Sequence, residues 1–172
     1  IKKETRFSQL TITSPTNRMT TTRTDMIPTF IISYNRPKHL ERCIESLQDE
    51  RLQIVIVSND GKKYTPKKSY FPMAQMIMTE NCLHNVVWTQ ELCPKDQAYI
   101  VTDCDIVAPD NDWLNVLIQG MGRLPQYNKF GLGLSTRNVT EEVLKHENDI
   151  YKKEVDSLFE ESPVDTTLAL YR

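Results

Sequence analysis

Short apolar runs alternate along this chain with stretches in which apolar residues recur every third or fourth position, and polar turns separate the two kinds. Phe30-Ile31-Ile32 is strand-like, and Ser33-Tyr34-Asn35-Arg36-Pro37 closes it as a polar turn ending in proline. Pro37 suits the first turn of a helix, and Leu40, Cys43, Ile44 and Leu47 fall at i, i+3, i+4 and i+7, the stripe of a helix with one buried face. Gln53 to Val57 predicts a second strand and Ser58-Asn59-Asp60-Gly61 a turn behind it. Ala98 to Val101 predicts a third strand, buried on both faces and running into Thr102-Asp103. After Pro109 a second helix is expected, with Leu114, Leu117, Ile118 and Met121 as its stripe, Asp110, Asn111 and Asp112 at the cap, and Gly120, Gly122 and Pro125 at the stop.

Other segments are less regular. Met73, Met76 and Ile77 lie at helical spacing, whereas Val86-Val87-Trp88 suits a short strand. Phe130 to Ser135 is strand-like, with glycines that leave room for another backbone or a ligand. A polar helix is expected from Asn138 or Thr140 to about Leu158, then a β-prone run from Thr166 to Tyr171. Residues 1–25, rich in Thr, Ser, Lys and Arg, are expected to form a poorly packed arm or linker before one domain over 26–172.

Strands alternating with helices predict an α/β fold with a mixed, mostly parallel sheet flanked by helices. Right-handed crossovers then bring the loops after the first, second and third strands to one sheet edge, where ligands of such folds collect. Composition narrows the choice. Lys plus Arg number 21 against 23 for Asp plus Glu, a formal charge of −2, which leaves no broad electrostatic footprint for nucleic acid. The cysteines at 43, 82, 93 and 104 form no C-x-x-C pair, which argues against a zinc site or a disulfide framework and for a reducing, cytoplasmic setting. No apolar run approaches the roughly 18 residues of a membrane helix.

Asp103 and Asp105 carry the chemistry. Alternation along a strand points residues two apart the same way, so their carboxylates can share a cation, and a hard divalent ion with oxygen ligands suits best. Asp110-Asn111-Asp112 repeats the spacing but belongs to the helix cap. The histidines at 39, 84 and 146 are expected to be solvated side chains.

Together, Pro28 to Pro37, Ile54 to Gly61 and Tyr99-Ile-Val-Thr-Asp-Cys-Asp105 resemble the nucleotide-sugar half of GT-A fold glycosyltransferases, particularly the family 2-like group, over residues 27 to 135. The resemblance implies a hexosyl-type transferase with a nucleotide-diphosphate sugar donor, usually a uridine one, an acceptor that is a saccharide or other hydroxyl, and Mn2+ or Mg2+ bound through the D-x-D motif. It implies that Ser33, Asn35 and Arg36 line the nucleoside pocket and that Asp60 contacts the base. Asp103 would lie nearer the ribose and metal, with Asp105 the direct metal ligand. Asn59-Asp60-Gly61-Lys62 departs from the Asp-Asp-Gly-Ser common in that group. Family members also continue past the last strand with acceptor-binding elements and often a metal-binding histidine, so part of the acceptor side is expected from elsewhere or from a further domain.

An inverting transfer needs a carboxylate base, for which Asp165, just before the last β-prone run, is the first candidate and Glu91 and Asp96 are weaker ones. Asp165 equally suits a turn or cap. Two other readings remain open: a nucleotidyltransferase that makes sugar nucleotides, although Ser33 to Pro37 lacks the glycine of its phosphate loop, and a non-catalytic nucleotide-sugar-binding domain.

Overall fold

A computed structural model describes residues 26–61, 75–81, 83–109, 112–132, 153–155, 158–161 and 168–172. Strand β1 (Ile27–Ser33) leads through a two-residue bend to helix α1 (Pro37–Ser46), then β2 (Leu52–Ser58) and β3 (Gln75–Met78). A 3-10 turn at Leu83–Asn85 opens into the short helix α2 (Val86–Thr89), followed by β4 (Tyr99–Asp103), α3 (Trp113–Arg123) and β5 (Lys129–Gly131). A two-stranded hairpin, β6 (Lys153–Glu154) with β7 (Glu160–Glu161), and the last strand β8 (Leu168–Tyr171) complete the described chain.

Six strands form one sheet in the order β3-β2-β1-β4-β8-β5. β1 pairs in parallel with β2 and β4, and β2 with β3; β8 runs antiparallel between β4 and β5. The fold is therefore the expected α/β type with a mixed, mostly parallel sheet.

Period-2 alternation along the strands sorts the core into two layers. Ile31, Ile54, Ile56 and Ile100 point to the face covered by α1 and α3, where Leu40, Cys43, Ile44, Leu114 and Leu117 pack. Phe30, Ile32, Val55, Val57 and Val101 point to the opposite face, against Val86 and Val87 of α2. Each fully buried aliphatic side chain is worth roughly 1.5–3 kcal/mol, so these two layers hold the sheet.

α1 starts with Pro37 in the first turn, as its fixed φ favours, and buries the predicted stripe, with Leu47 just past its end. In α3 the buried face is Trp113, Leu114, Leu117 and Gly120, so Ile118, expected inside, is 39% exposed. Asp112 is the N-cap residue but makes no side-chain cap bond; its carboxylate accepts instead from the Asn115 amide. Asp110 and Asn111 lie outside the described residues.

Three local expectations are corrected. Met76 and Ile77 belong to strand β3, and Val86-Val87-Trp88 to helix α2, the reverse of the pattern read from spacing. Four-residue elements are too short for a period of 2 to be told from 3.6, and pairing with β2 decides the first case. The polar helix expected to reach Leu158 does not cover Lys153–Glu154, which is strand; the cross-strand pairing with Glu160–Glu161 replaces it. The arm over 1–25, residues 62–74 with Met73 among them, residues 133–135 and the segment 138–152 lie outside the described residues.

Candidate functional site

Register aligns three strand ends. Ser33 stands beside Ser58, and Ile32 beside Asp103, so β1, β2 and β4 deliver their following loops to one edge of the sheet. One further backbone bond extends the ladder on each side: Asn59 N donates to Ser33 O (2.8 Å) and Cys104 N to Ile32 O (3.0 Å). The loops are thus fixed where they leave the sheet. Asp60 ties two of them, accepting from the Ser58 hydroxyl (2.9 Å) and, with its other oxygen, from the Asn35 N–H (3.1 Å). That second bond requires Asn35 to turn into the left-handed region at φ 51°, which asparagine tolerates better than most residues. Thr79, beyond β3, donates its N–H to Ser58 O (3.0 Å) and its hydroxyl to Asn59 Oδ1 (3.3 Å), which carries the segment holding Asn81 and His84 to the same edge.

These loops enclose a cleft of about 450 Å³, within the roughly 300–1,000 Å³ of small-molecule sites. Asp103 and Asp105 both line it, half-buried and exposed respectively. The strand ends at Asp103 and a turn carries Asp105, so the turn rather than pleat alternation sets the second carboxylate. Arg36, from the loop after β1, reaches across to Asp105, Nη1 to Oδ2 2.5 Å. This sets a guanidinium beside the Asp105 carboxylate. Tyr34, 53% exposed, lines the same cleft, and Asn59, Asn81 and His84 complete its polar lining.

Beneath the acids lie two thiols. Burial pushes the Cys43 thiol up to about 12, with the neighbouring Cys104, Asp105 and Asp103 adding to it, so it stays protonated and can donate to Asp103 O at 3.6 Å. Burial also raises the Cys104 thiol, partly offset by hydrogen bonds with the Ser33 hydroxyl and the Tyr34 backbone. Both act as packing and neither as a nucleophile at neutral pH.

Among the sequence-predicted site residues, Arg36, Asp103 and Asp105 line the cleft; Ser33, Asn35 and Asp60 are not among its lining residues but bond its loops together. Asp165 lies outside the described residues. Glu91 and Asp96 are exposed and do not line the cleft; Asp96 leads into the start of β4, at the sheet edge opposite the acids. His84, expected to be merely solvated, sits in the cleft lining, as do Tyr34, Asn59 and Asn81, none of which sequence reading singled out. The first and second strand loops flagged Tyr34 and Asn59 by position; nothing local flagged Asn81 or His84.

Among the described residues no group of three or more His, Cys, Asp and Glu side chains is placed to hold a metal on its own. Two carboxylates at an open cleft nevertheless fit a hard divalent ion that takes its remaining ligands from water and phosphate oxygens. Among the described residues, too, no helix is long and apolar enough to cross a membrane.

No protein-family model matches the sequence, and no curated protein matches it. Among solved structures, the chain is similar to the mannosyltransferase PcManGT from Pyrobaculum calidifontis in complex with GDP-Man and Mn2+, with a TM-score of 0.48 and 14% sequence identity over 65% of this chain. The match covers 36% of that protein, so the chain spans about a third of its length.

Proposed function

We propose that this chain is the donor-binding part of a GT-A-like, metal-dependent glycosyltransferase, moving a sugar from a nucleotide-diphosphate donor, a uridine one, to an acceptor hydroxyl. One observation carries the reading: two carboxylates, Asp103 and Asp105, meet an open cleft at the carboxyl end of a central strand that pairs in parallel with β1 and antiparallel with β8. Such an edge is where α/β sheets bind ligands, and paired acids there suit a cation-bound diphosphate.

Asp103 and Asp105 would hold Mn2+ or Mg2+, and that ion, when bound, supplies Lewis-acid stabilisation of the departing diphosphate. Arg36 offers a guanidinium to the same phosphates, and Tyr34 a flat face on which a base or sugar ring can stack. Asp60, with Ser33 and Asn35, forms the nucleoside side, chiefly by fixing the loop that presents Tyr34 and Arg36. In the transfer the acceptor oxygen bonds to the anomeric carbon as the carbon–oxygen bond to the diphosphate breaks, and the diphosphate leaves with the electron pair. The acceptor proton passes to a carboxylate, for which Asp165 is the candidate in an inverting reaction.

Thermal-shift titration with nucleoside diphosphates and their sugars, with and without Mn2+, tests this. The expected result is a rise in melting temperature with uridine diphosphate and its sugars that needs Mn2+ and disappears in Asp105→Ala. An undiminished rise in the variant overturns the reading. Pyrophosphate release from a nucleoside triphosphate and a sugar phosphate would replace it with a nucleotidyltransferase, and binding without transfer or hydrolysis with a non-catalytic domain.

A further inference from the structure

We infer that Arg36 and the divalent cation compete for the Asp105 carboxylate, so that Arg36 caps the acids when the cleft is empty and passes to the diphosphate once the cation binds. This rests on the metal-dependent reading above and adds to it a residue that couples the two ligands. Arg36 and Asp105 are 69 positions apart, each on its own loop, and they meet in the cleft. Arg36 is the N-cap residue of α1, where a guanidinium, having no acceptor, makes no cap bond, and its side chain reaches Asp105 instead.

The contact is built to be exchanged. With side chains 56% and 40% exposed, the pair is solvent-screened, and breaking a pair of this kind shifts an equilibrium by only about two- to fivefold. A dication and a guanidinium on one carboxylate repel each other, so binding of one disfavours the other. Charge explains the direction of transfer. The two acids exceed the guanidinium by one charge, a dication reverses that sign, and the freed guanidinium then faces an anionic diphosphate in the same cleft. The cation and the nucleotide therefore bind with mutual enhancement, part of which runs through Arg36, and linkage makes that enhancement equal in both directions.

Mn2+ binding, followed by water-proton relaxation on folded protein, separates the possibilities. Without nucleotide, Arg36→Gln is expected to bind Mn2+ about two- to fivefold tighter than the wild type, because the competitor is gone. The same variant should bind uridine diphosphate about tenfold more weakly in the presence of Mn2+, having lost a charge-assisted bond, and should show a smaller coupling between the two ligands. Arg36→Lys, which keeps the charge but not the planar fork, should fall between. Unchanged or weaker Mn2+ affinity in both variants overturns the competition while leaving the metal reading intact, provided Asp105→Asn abolishes Mn2+ binding. If Asp105→Asn binds Mn2+ as the wild type does, the metal reading fails and the competition with it.

Discussion

At its first residue β4 places Tyr99 in an aromatic cluster, and at its last it places Asp103 in the cleft. Tyr99 stacks on Tyr171 of the neighbouring β8 with centroids 5.2 Å apart and planes within 5°, meets Phe30 edge-on at 6.3 Å, and accepts a hydrogen bond from the Trp88 indole at 3.3 Å. Trp88 in turn meets Tyr171 at 5.5 Å, and the Lys129 ammonium lies over the Tyr171 ring. Four residues further along the strand, the groups are carboxylates and a salt-bridged arginine open to water. The same strand is thus anchored at one end and left chemically unfinished at the other. Stability and ligand affinity should respond separately to changes at the two ends.

Tyr99→Ala attacks the anchored end and should have the largest effect: about 3–5 kcal/mol lower unfolding free energy by urea denaturation, with nucleotide affinity of the folded fraction unchanged. An equal loss of affinity would mean that the two ends are not separable. Asp103→Asn attacks the other end. It should weaken Mn2+-dependent nucleotide binding by about 10- to 100-fold, as loss of a charged ligand does, while leaving the urea midpoint nearly where it was.

Gly120→Ala tests the packing between α3 and two aromatic rings, Phe130 of β5 and Phe159 just before β7. A Cβ there would come within 2.7 Å of both Phe130 and Phe159, and overpacking of this sort costs about 1–3 kcal/mol. Calorimetry should record the loss, again without a change in ligand affinity. The smallest effect concerns pH. Burial raises the Tyr99 hydroxyl above its usual range, with the Cys93 thiol adding to it, so the folded state holds the proton more tightly than the unfolded chain. Full stability therefore persists below the ordinary tyrosine value of about 10 and declines as pH rises beyond it, by at most about 1.4 kcal/mol per unit. Tyr99→Phe should flatten that decline in denaturation series at rising alkaline pH, and an unchanged slope would count against the buried assignment.

Local patterning made β1, α1, β2, β4 and α3 legible, because each buries enough residues for its period to stand out. It also placed three polar loops at one edge, since parallel crossovers leave little choice there. The rest depends on partners distant in sequence. Leu168 to Tyr171 reads as a strand, but nothing in those residues says that it runs antiparallel and inserts beside β4. Arg36 and Asp105 each looked available to a ligand, and only the fold reveals that they meet. Asn81 and His84 enter the cleft on a segment tied down by Thr79, whose hydrogen bonds to Ser58 and Asn59 span about 20 positions.

Insertion of β8 between β4 and β5 carries a consequence for synthesis. Until Leu168 to Tyr171 leave the ribosome, β4 has Ile32 and its neighbours on one flank and bare amide groups on the other, and Arg172 cannot yet reach the Met121 and Pro125 carbonyls. A nascent chain halted after Leu132 would therefore expose a sticky strand, and the acid-bearing half should resist expression as an independent fragment.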